Sequence, residues 1–278
     1  MPAFLEGLLT NPAFQSGILP FGVALIAGLL LRPLGGYWAG LAITIAVYAA
    51  ISLMIDIKWS PLTSTRKILL IGAIAAVVGI LLDHVSFARR YLPALLFLSG
   101  AVAVTWVIWP VLARQEGAEM WLLAGGGVAY VGWLAASAEI LRHRPLPGLV
   151  TLAALGFGTG GVVLFGASAL LGQMALATGA AAAACVLLGV LGRTFKVGSI
   201  ALLPGMLLSA LLGYAGLVYA RAPWYTLPVL AVIPLAARLP VPADKSKWLR
   251  LALIVAAVAP LVMTAVAAAW WAEGAPGL

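Results

Sequence analysis

Long apolar runs, separated by short clusters of Arg, Lys, Pro and Gly, repeat along the whole chain. A helix needs ~20 mostly apolar residues to cross a ~30 Å hydrocarbon core at ~1.5 Å per residue. Cutting the runs at charges and at Pro/Gly clusters predicts ten such helices. They fall at 14–31, 36–55, 68–82, 91–112, 120–141, 148–169, 173–191, 199–219, 225–237 and 251–271. The third and ninth are short. The sixth and seventh share 48 uncharged residues, Pro145 to Gly192, too many for one crossing. A turn near Leu171, Gly172 and Gln173 divides this stretch into a hairpin with almost no loop. Residues 1–13, broken by Pro2 and Pro12, are too short to cross and are expected to lie at the interface.

The expected fold is all-α: a polytopic transmembrane helical bundle of about ten membrane-spanning helices, forming a single integral membrane domain over residues 1–278. Ten spans also divide as five plus five, with halves meeting near residues 142–148, as in inverted-repeat carriers. Composition agrees. The chain is 64% hydrophobic and 9% charged, with a mean hydropathy of +1.13. A soluble domain is about half apolar and a quarter charged, so this surface is built to meet lipid.

The net charge of +8 does not indicate nucleic acid, because the basic residues come in ones, twos and threes between apolar runs rather than in one patch. Their placement sets orientation instead. Eleven Lys and Arg (Arg32, Arg89, Arg90, Arg142, Arg144, Arg193, Lys196, Arg238, Lys245, Lys247 and Arg250) fall on one side of the span order, and five (Lys58, Arg66, Lys67, Arg114 and Arg221) on the other. The richer side is expected to be cytoplasmic, which puts both termini outside, in a bacterial inner membrane. Trp59, Trp109, Trp121, Trp224, Trp270 and Trp271 lie near the outer interface in this scheme, and Trp38 and Trp248 near the inner one. Trp106 and Trp133 sit deeper, as packing or as the wall of a ligand cavity. The one cysteine, Cys185, follows an alanine run and is expected to be a buried packing residue.

No ionisable residue falls mid-span. Asp56, Asp83 and Glu139 sit near span ends, where water and headgroups are expected to reach them. Proton- and ion-coupled carriers place such groups at depth, so coupled transport is not indicated. Ser99, Ser137 and Ser168 have no histidine at their depth, so no catalytic triad assembles. His84 and His143 have no cysteine partner, which leaves no metal site and no cofactor to expect.

Two constellations remain. Asp83, His84, Arg89 and Arg90, with Arg142 and Arg144 beyond Glu139, form a candidate cytoplasmic headgroup or anion site; the alternative is a solvated loop. Glu139 and Arg142 are three apart and can pair on one helical face. In the sixth span Gly156, Gly158, Thr159, Gly160 and Gly161 are candidates for a substrate path, extended outward by Ser168 and Gln173. Such a run either lets helices approach closely or breaks the helix toward a cavity. Gly125, Gly126 and Gly127 are a second weak stretch that could pack against the first, and Gly36 and Gly40 a further packing pair. The chain reads as a facilitator, permease or flippase-like carrier of a small neutral or lipidic molecule. The alternative is a non-catalytic accessory or scaffold subunit of a larger membrane complex. Expected partners are membrane lipids, with further membrane proteins or a homo-oligomer, and no nucleic acid.

Overall fold

A computed structural model describes residues 7, 10–35, 37–55, 60–84, 89–166, 168–192, 196–242 and 244–273. Among them no strand occurs. Ten α-helices are delimited among the described residues: α1 (Leu19–Leu31), α2 (Leu41–Met54), α3 (Ser64–His84), α4 (Leu92–Leu112), α5 (Gly117–Leu141), α6 (Pro145–Phe165), α7 (Ala169–Leu191), α8 (Ser199–Ala220), α9 (Thr226–Ala236) and α10 (Lys247–Ala272). Short non-α turns flank α1 and extend it to Phe14–Leu34. Eight helices are then long and apolar enough to cross a membrane, and two are shorter, Trp38–Met54 around α2 and α9 itself. This is a helical membrane bundle. Asn11 opens it, its side chain accepting from the Ala13 and Phe14 amides. Gly36, Asp56, Lys58, Trp59, Arg193 and most of residues 1–9 lie outside the described residues.

Two expected boundaries are corrected. The third helix is not short: α3 takes in Arg66 and Lys67, whose charges are satisfied locally. Arg66 Nη1 donates to Pro61 O at 2.6 Å, and Lys67 Nζ donates to Trp106 O at 3.0 Å while lying over the Trp106 ring. The sixth–seventh hairpin turns at Gly166 and Ser168, not at Leu171 to Gln173. Gly172 instead lies inside α7 and lets Leu164 of α6 approach; a Cβ there would come within 2.5 Å of Leu164 Cγ.

Contacts between helix ends show that the chain crosses alternately. Arg89 meets His143, Arg144 meets Arg238, and Lys247 meets Gly192 at one face. Ser64 meets Tyr219, and Tyr225 meets Ala268, at the other. The loops richest in Arg and Lys thus share one end, here called the basic face.

At the centre is α8, nearly every residue of which is buried. α3, α5 and α6 pack against it most extensively, and α7, α2 and α4 complete the enclosure. The α6–α8 contact shows how apolar helices specify register without polar stripes. Large residues on one helix enter gaps left by glycine on the other: Leu202 sits over Gly148, Leu152 over Gly205, Thr159 by Gly213 and Val163 over Gly216. Inside a membrane, close approach of this kind carries most of the association energy. α10 is peripheral. It rests on α6 and α9 and barely touches α7.

Candidate functional site

The charges near the basic face come first, because the structure reassigns them. Asp83 and Glu139 were expected to be reached by water; they are not. The side chains of Asp83, Arg142 and Glu139 are 0%, 1% and 7% exposed. The reason is that three helices bring them together. Arg142 Nη2 lies 3.0 Å from Asp83 Oδ1, an approach that is Coulombic rather than aligned as a hydrogen bond. Its Nη1 donates to both Glu139 oxygens at 3.3 Å and weakly to Leu82 O at 3.4 Å. Ser199 Oγ donates to Glu139 Oε2 at 3.2 Å.

Asp83 also caps α8 from another helix. The first amides of a helix have no partner within it, and here that end is buried. Ser199 N and Ile200 N donate to the two Asp83 oxygens at 3.0 and 2.9 Å. Ala201 N and Leu202 N donate to Gly198 O at 3.2 and 3.1 Å. All four are accounted for. The two carboxylates and one guanidinium sum to one negative charge, set against the partial positive charge of the α8 N-terminus. Gly198 is required by proximity: a Cβ there would lie 2.0 Å from Asp83 Oδ2.

The other anion candidates are separate from this cluster. His84 is exposed, its Nδ1 paired with Ile80 O and its ring against Trp38. Arg89 reaches His143 Nε2 at 3.3 Å, and Arg90 lies over the Tyr91 ring. Arg144 donates to Arg238 O at 3.1 Å on the far side of α5, where it lines a cavity with Lys247 and Arg250.

The glycine run of α6 does not break the helix. Gly156 meets the Gly179 backbone and Gly160 meets Leu176, both on α7. Gly158 faces Leu230 of α9 and Val262 of α10, and Gly161 faces Val266 of α10. Every glycine of the run is filled by a neighbour. The second glycine stretch packs elsewhere than expected: Gly127 and Gly126 meet Tyr214 of α8, and Gly125 faces open space. Gly40 lies against Ile200 and Ala201. Ser168 precedes α7 and Gln173 lies in it, both part-buried at the hairpin end, away from Thr159.

Thr159 is fully buried and lies behind Tyr130, which lines a cavity. Between α5, α8 and α9 lies a largely apolar slot of about 730 Å³. Its mouth is formed by the exposed Leu122 and Trp224, toward the face opposite the basic one. Gly126 and Tyr214 flank it, Leu227 and Pro228 form the α9 wall, and Trp133 bridges the slot by donating from Nε1 to Ala231 O at 2.8 Å. α9 is why the slot exists. Its 11 residues reach ~16 Å, little more than half the hydrocarbon thickness, so it does not seal α5 along its length.

At the inner wall stands Tyr130. Its hydroxyl and the methyl of the fully buried Thr159 both adjoin Gly213: a Cβ there would lie 3.4 Å from Tyr130 Oη and 3.2 Å from Thr159 Cγ2. The two hydroxyls lie near each other, but neither closes a hydrogen bond of regular geometry. A buried hydroxyl without a well-aligned partner is costly, so Tyr130, with Thr159 behind it, gives the apolar slot a polar end. Tyr130 and Tyr214 were not singled out from the sequence, where they are isolated aromatics in apolar runs. Trp133 was, with cavity lining as one of its two readings.

The fold and these contacts define the class, a polytopic α-helical membrane protein with a membrane-embedded apolar cavity. No protein-family model matches the chain, and no curated protein matches its sequence.

Proposed function

We propose that the protein is a carrier of a small, uncharged and mainly apolar molecule, taken up from the membrane through the α5–α9 slot. The observation that carries this reading is the slot's end: an apolar chamber closing on the buried Tyr130, whose hydroxyl has only Thr159 beside it and no well-aligned hydrogen bond. Such a chamber suits a ligand with an apolar body and one hydrogen-bonding group. It does not suit an ion, because no charged side chain lines it. Beyond Thr159 the bundle is closed by Leu152 and Leu155, both wholly buried, as in a carrier with access from one side at a time. On the distribution of Arg and Lys, the basic face is cytoplasmic and the membrane a bacterial inner membrane.

The test uses the full chain extracted in mild detergent, with co-purifying small molecules identified by mass spectrometry. Wild type is expected to retain a neutral amphiphile. Ala129→Trp, which fills the slot, should lose it, and Tyr130→Phe should retain several-fold less. The identified molecule is then assayed for flux in reconstituted vesicles. Equal retention by a folded Ala129→Trp variant would remove the assignment. The closed interior favours a second reading, an accessory subunit. Its signature is a stoichiometric protein partner whose binding is indifferent to both substitutions.

A further inference from the structure

A second cavity, unconnected with the carrier slot, lies at the basic face where α6 and α10 begin and α7 ends. It measures about 500 Å³. His143, Arg144, Lys247 and Arg250 line it, and no acid does so among the described residues. The carboxylates that could neutralise these cations are engaged elsewhere. Asp83 and Glu139 hold Arg142, and the well-exposed Asp244 pairs with Lys245. Arg144 and Lys247 are tethered to carbonyl oxygens, of Arg238 and Gly192, and His143 to Arg89. Arg250 Nε is buried without any partner. Three permanent positive charges thus line one cavity with no carboxylate beside them among the described residues.

The floor of this cavity is apolar, with Leu149, Val190 and Ile254. Beside it the same three helices form a groove of about 380 Å³ that contains Ala153, Val186, Val255 and Ala259 and nothing charged. On α6 and α7 the groove lies deeper than the cavity, Leu149 giving way to Ala153 and Val190 to Val186, while on α10 the two overlap in height, with Leu251 lining the groove and Ile254 the cavity. The groove exists because α10 leans on α6 and α9 and stands off from α7. From Leu251 to the exposed Met263 it runs ~18 Å, comparable with the ~15 Å of one leaflet.

We infer that this is a binding site for one anionic phospholipid, its phosphate held by Arg144, Lys247 and Arg250 and one acyl chain laid in the α6–α7–α10 groove. Charge selects the headgroup, since arginine and lysine bind phosphate with strong, short charge-assisted hydrogen bonds. The adjoining apolar groove selects a lipid over a soluble anion, because a free phosphate leaves it unfilled.

The full chain in detergent is titrated with phosphatidylglycerol, phosphatidylcholine or inorganic phosphate, and bound lipid is counted by native mass spectrometry. Phosphatidylglycerol should bind one per chain and at least tenfold more tightly than phosphatidylcholine, and inorganic phosphate should not displace it. Lys247→Gln with Arg250→Gln should weaken it at least tenfold. Ala259→Trp, which leaves every cation in place, should weaken it severalfold, and this variant decides the matter if the charge variants do not fold. Arg90→Gln, an exposed cation outside the cavity that lies over the Tyr91 ring, should bind as wild type does. The inference fails if phosphatidylcholine binds equally, if phosphate competes, if Ala259→Trp binds normally, or if loss of Arg90 matters as much as loss of Lys247 and Arg250.

Discussion

Removing the Asp83 carboxylate tests the central structural claim, that a side chain of α3 satisfies the buried start of α8. In Asp83→Ala the buried amides of Ser199 and Ile200 lose their acceptor, and Arg142 keeps Glu139 as its one ionic partner among the described residues. Each charge-assisted hydrogen bond is worth about 1.5–3 kcal/mol, and breaking a buried ion pair by removing one partner costs about 3–5 kcal/mol. These figures describe one carboxylate and do not add. The expected loss is about 3–5 kcal/mol, a large part of a total that is commonly 5–15 kcal/mol. Melting should fall on the order of 10 °C, at about 2–4 °C per kcal/mol. Asp83→Asn preserves shape and one acceptor but turns its NH2 toward a second donor, so it should lose roughly half as much.

The chain carries its own reporter. Cys185 is the one cysteine and is fully buried, so a thiol-reactive fluorophore reads unfolding directly. Two further variants make the experiment decisive. Gly198→Ala changes no charge but places a methyl group 2.0 Å from Asp83 Oδ2, and should reproduce the loss by pushing the cap away. Asp244→Ala removes an exposed carboxylate whose pair with Lys245 is worth about 0–1 kcal/mol, and should leave melting unchanged. If Asp83→Ala melts within about 2 °C of Asp244→Ala, the amides of α8 have another acceptor and the capping argument is wrong.

Other outcomes follow from the same contacts. Gly156→Ala forces a Cβ to within 2.3 Å of Gly179 N and should cost about 1–3 kcal/mol; Gly125→Ala, facing open space in mid-helix, should gain about 0.5–1 kcal/mol. Opposite signs in the Cys185 assay are expected, and equal ones would refute the distinction. Thr159→Val, which removes a buried hydroxyl with only Tyr130 beside it and no well-aligned bond, should change stability by no more than about 1 kcal/mol while weakening retention of the slot's ligand; a larger loss of stability would mean that the hydroxyl is firmly paired. Alkaline phosphatase fused after Lys67 should be active and after Arg90 inactive; the reverse pattern would invert the membrane orientation.

What could be read from the sequence, and what could not, follows from the solvent. Hydrocarbon requires each crossing to be long and apolar, so ten helices were visible as runs. The same uniformity hides which face of a helix points inward, because no polar stripe is needed on the outer side. Spacing of small residues carries that information instead. Gly72, Ala76, Gly79 and Asp83 fall on one face of α3 at intervals of three and four, and Gly79 meets Ser199 O so closely that a Cβ would come within 2.6 Å. That spacing already turned Asp83 inward. Distance along the chain from Arg89 and Arg90 suggested a solvated loop, but the residues that bury Asp83 are 116 positions away and belong to a helix whose start lies at the same depth. The local pair of Glu139 and Arg142 was visible at three-residue spacing; its third partner was not.

The cavities were harder still, since each is a failure of packing among helices distant in sequence. Gly156, Gly158, Gly160 and Gly161 looked like a gap and are its opposite, because a missing Cβ in a crowded bundle is filled by the next helix. The real gaps flank α9, which is too short to close the bundle, and α10, which stands away from α7. In both, the side chains that give the site its chemistry come from different parts of the chain: Tyr130 with Thr159 behind it in one, Arg144 with Lys247 and Arg250 in the other. Charge in a membrane interior is costly wherever it stands. It persists here where three helices share it, as in the Asp83 cluster, or where a cavity adjoins it, as at Arg250. That division, sealed charge against cavity-facing polarity, is what separates the residues that hold this fold from those available to a ligand.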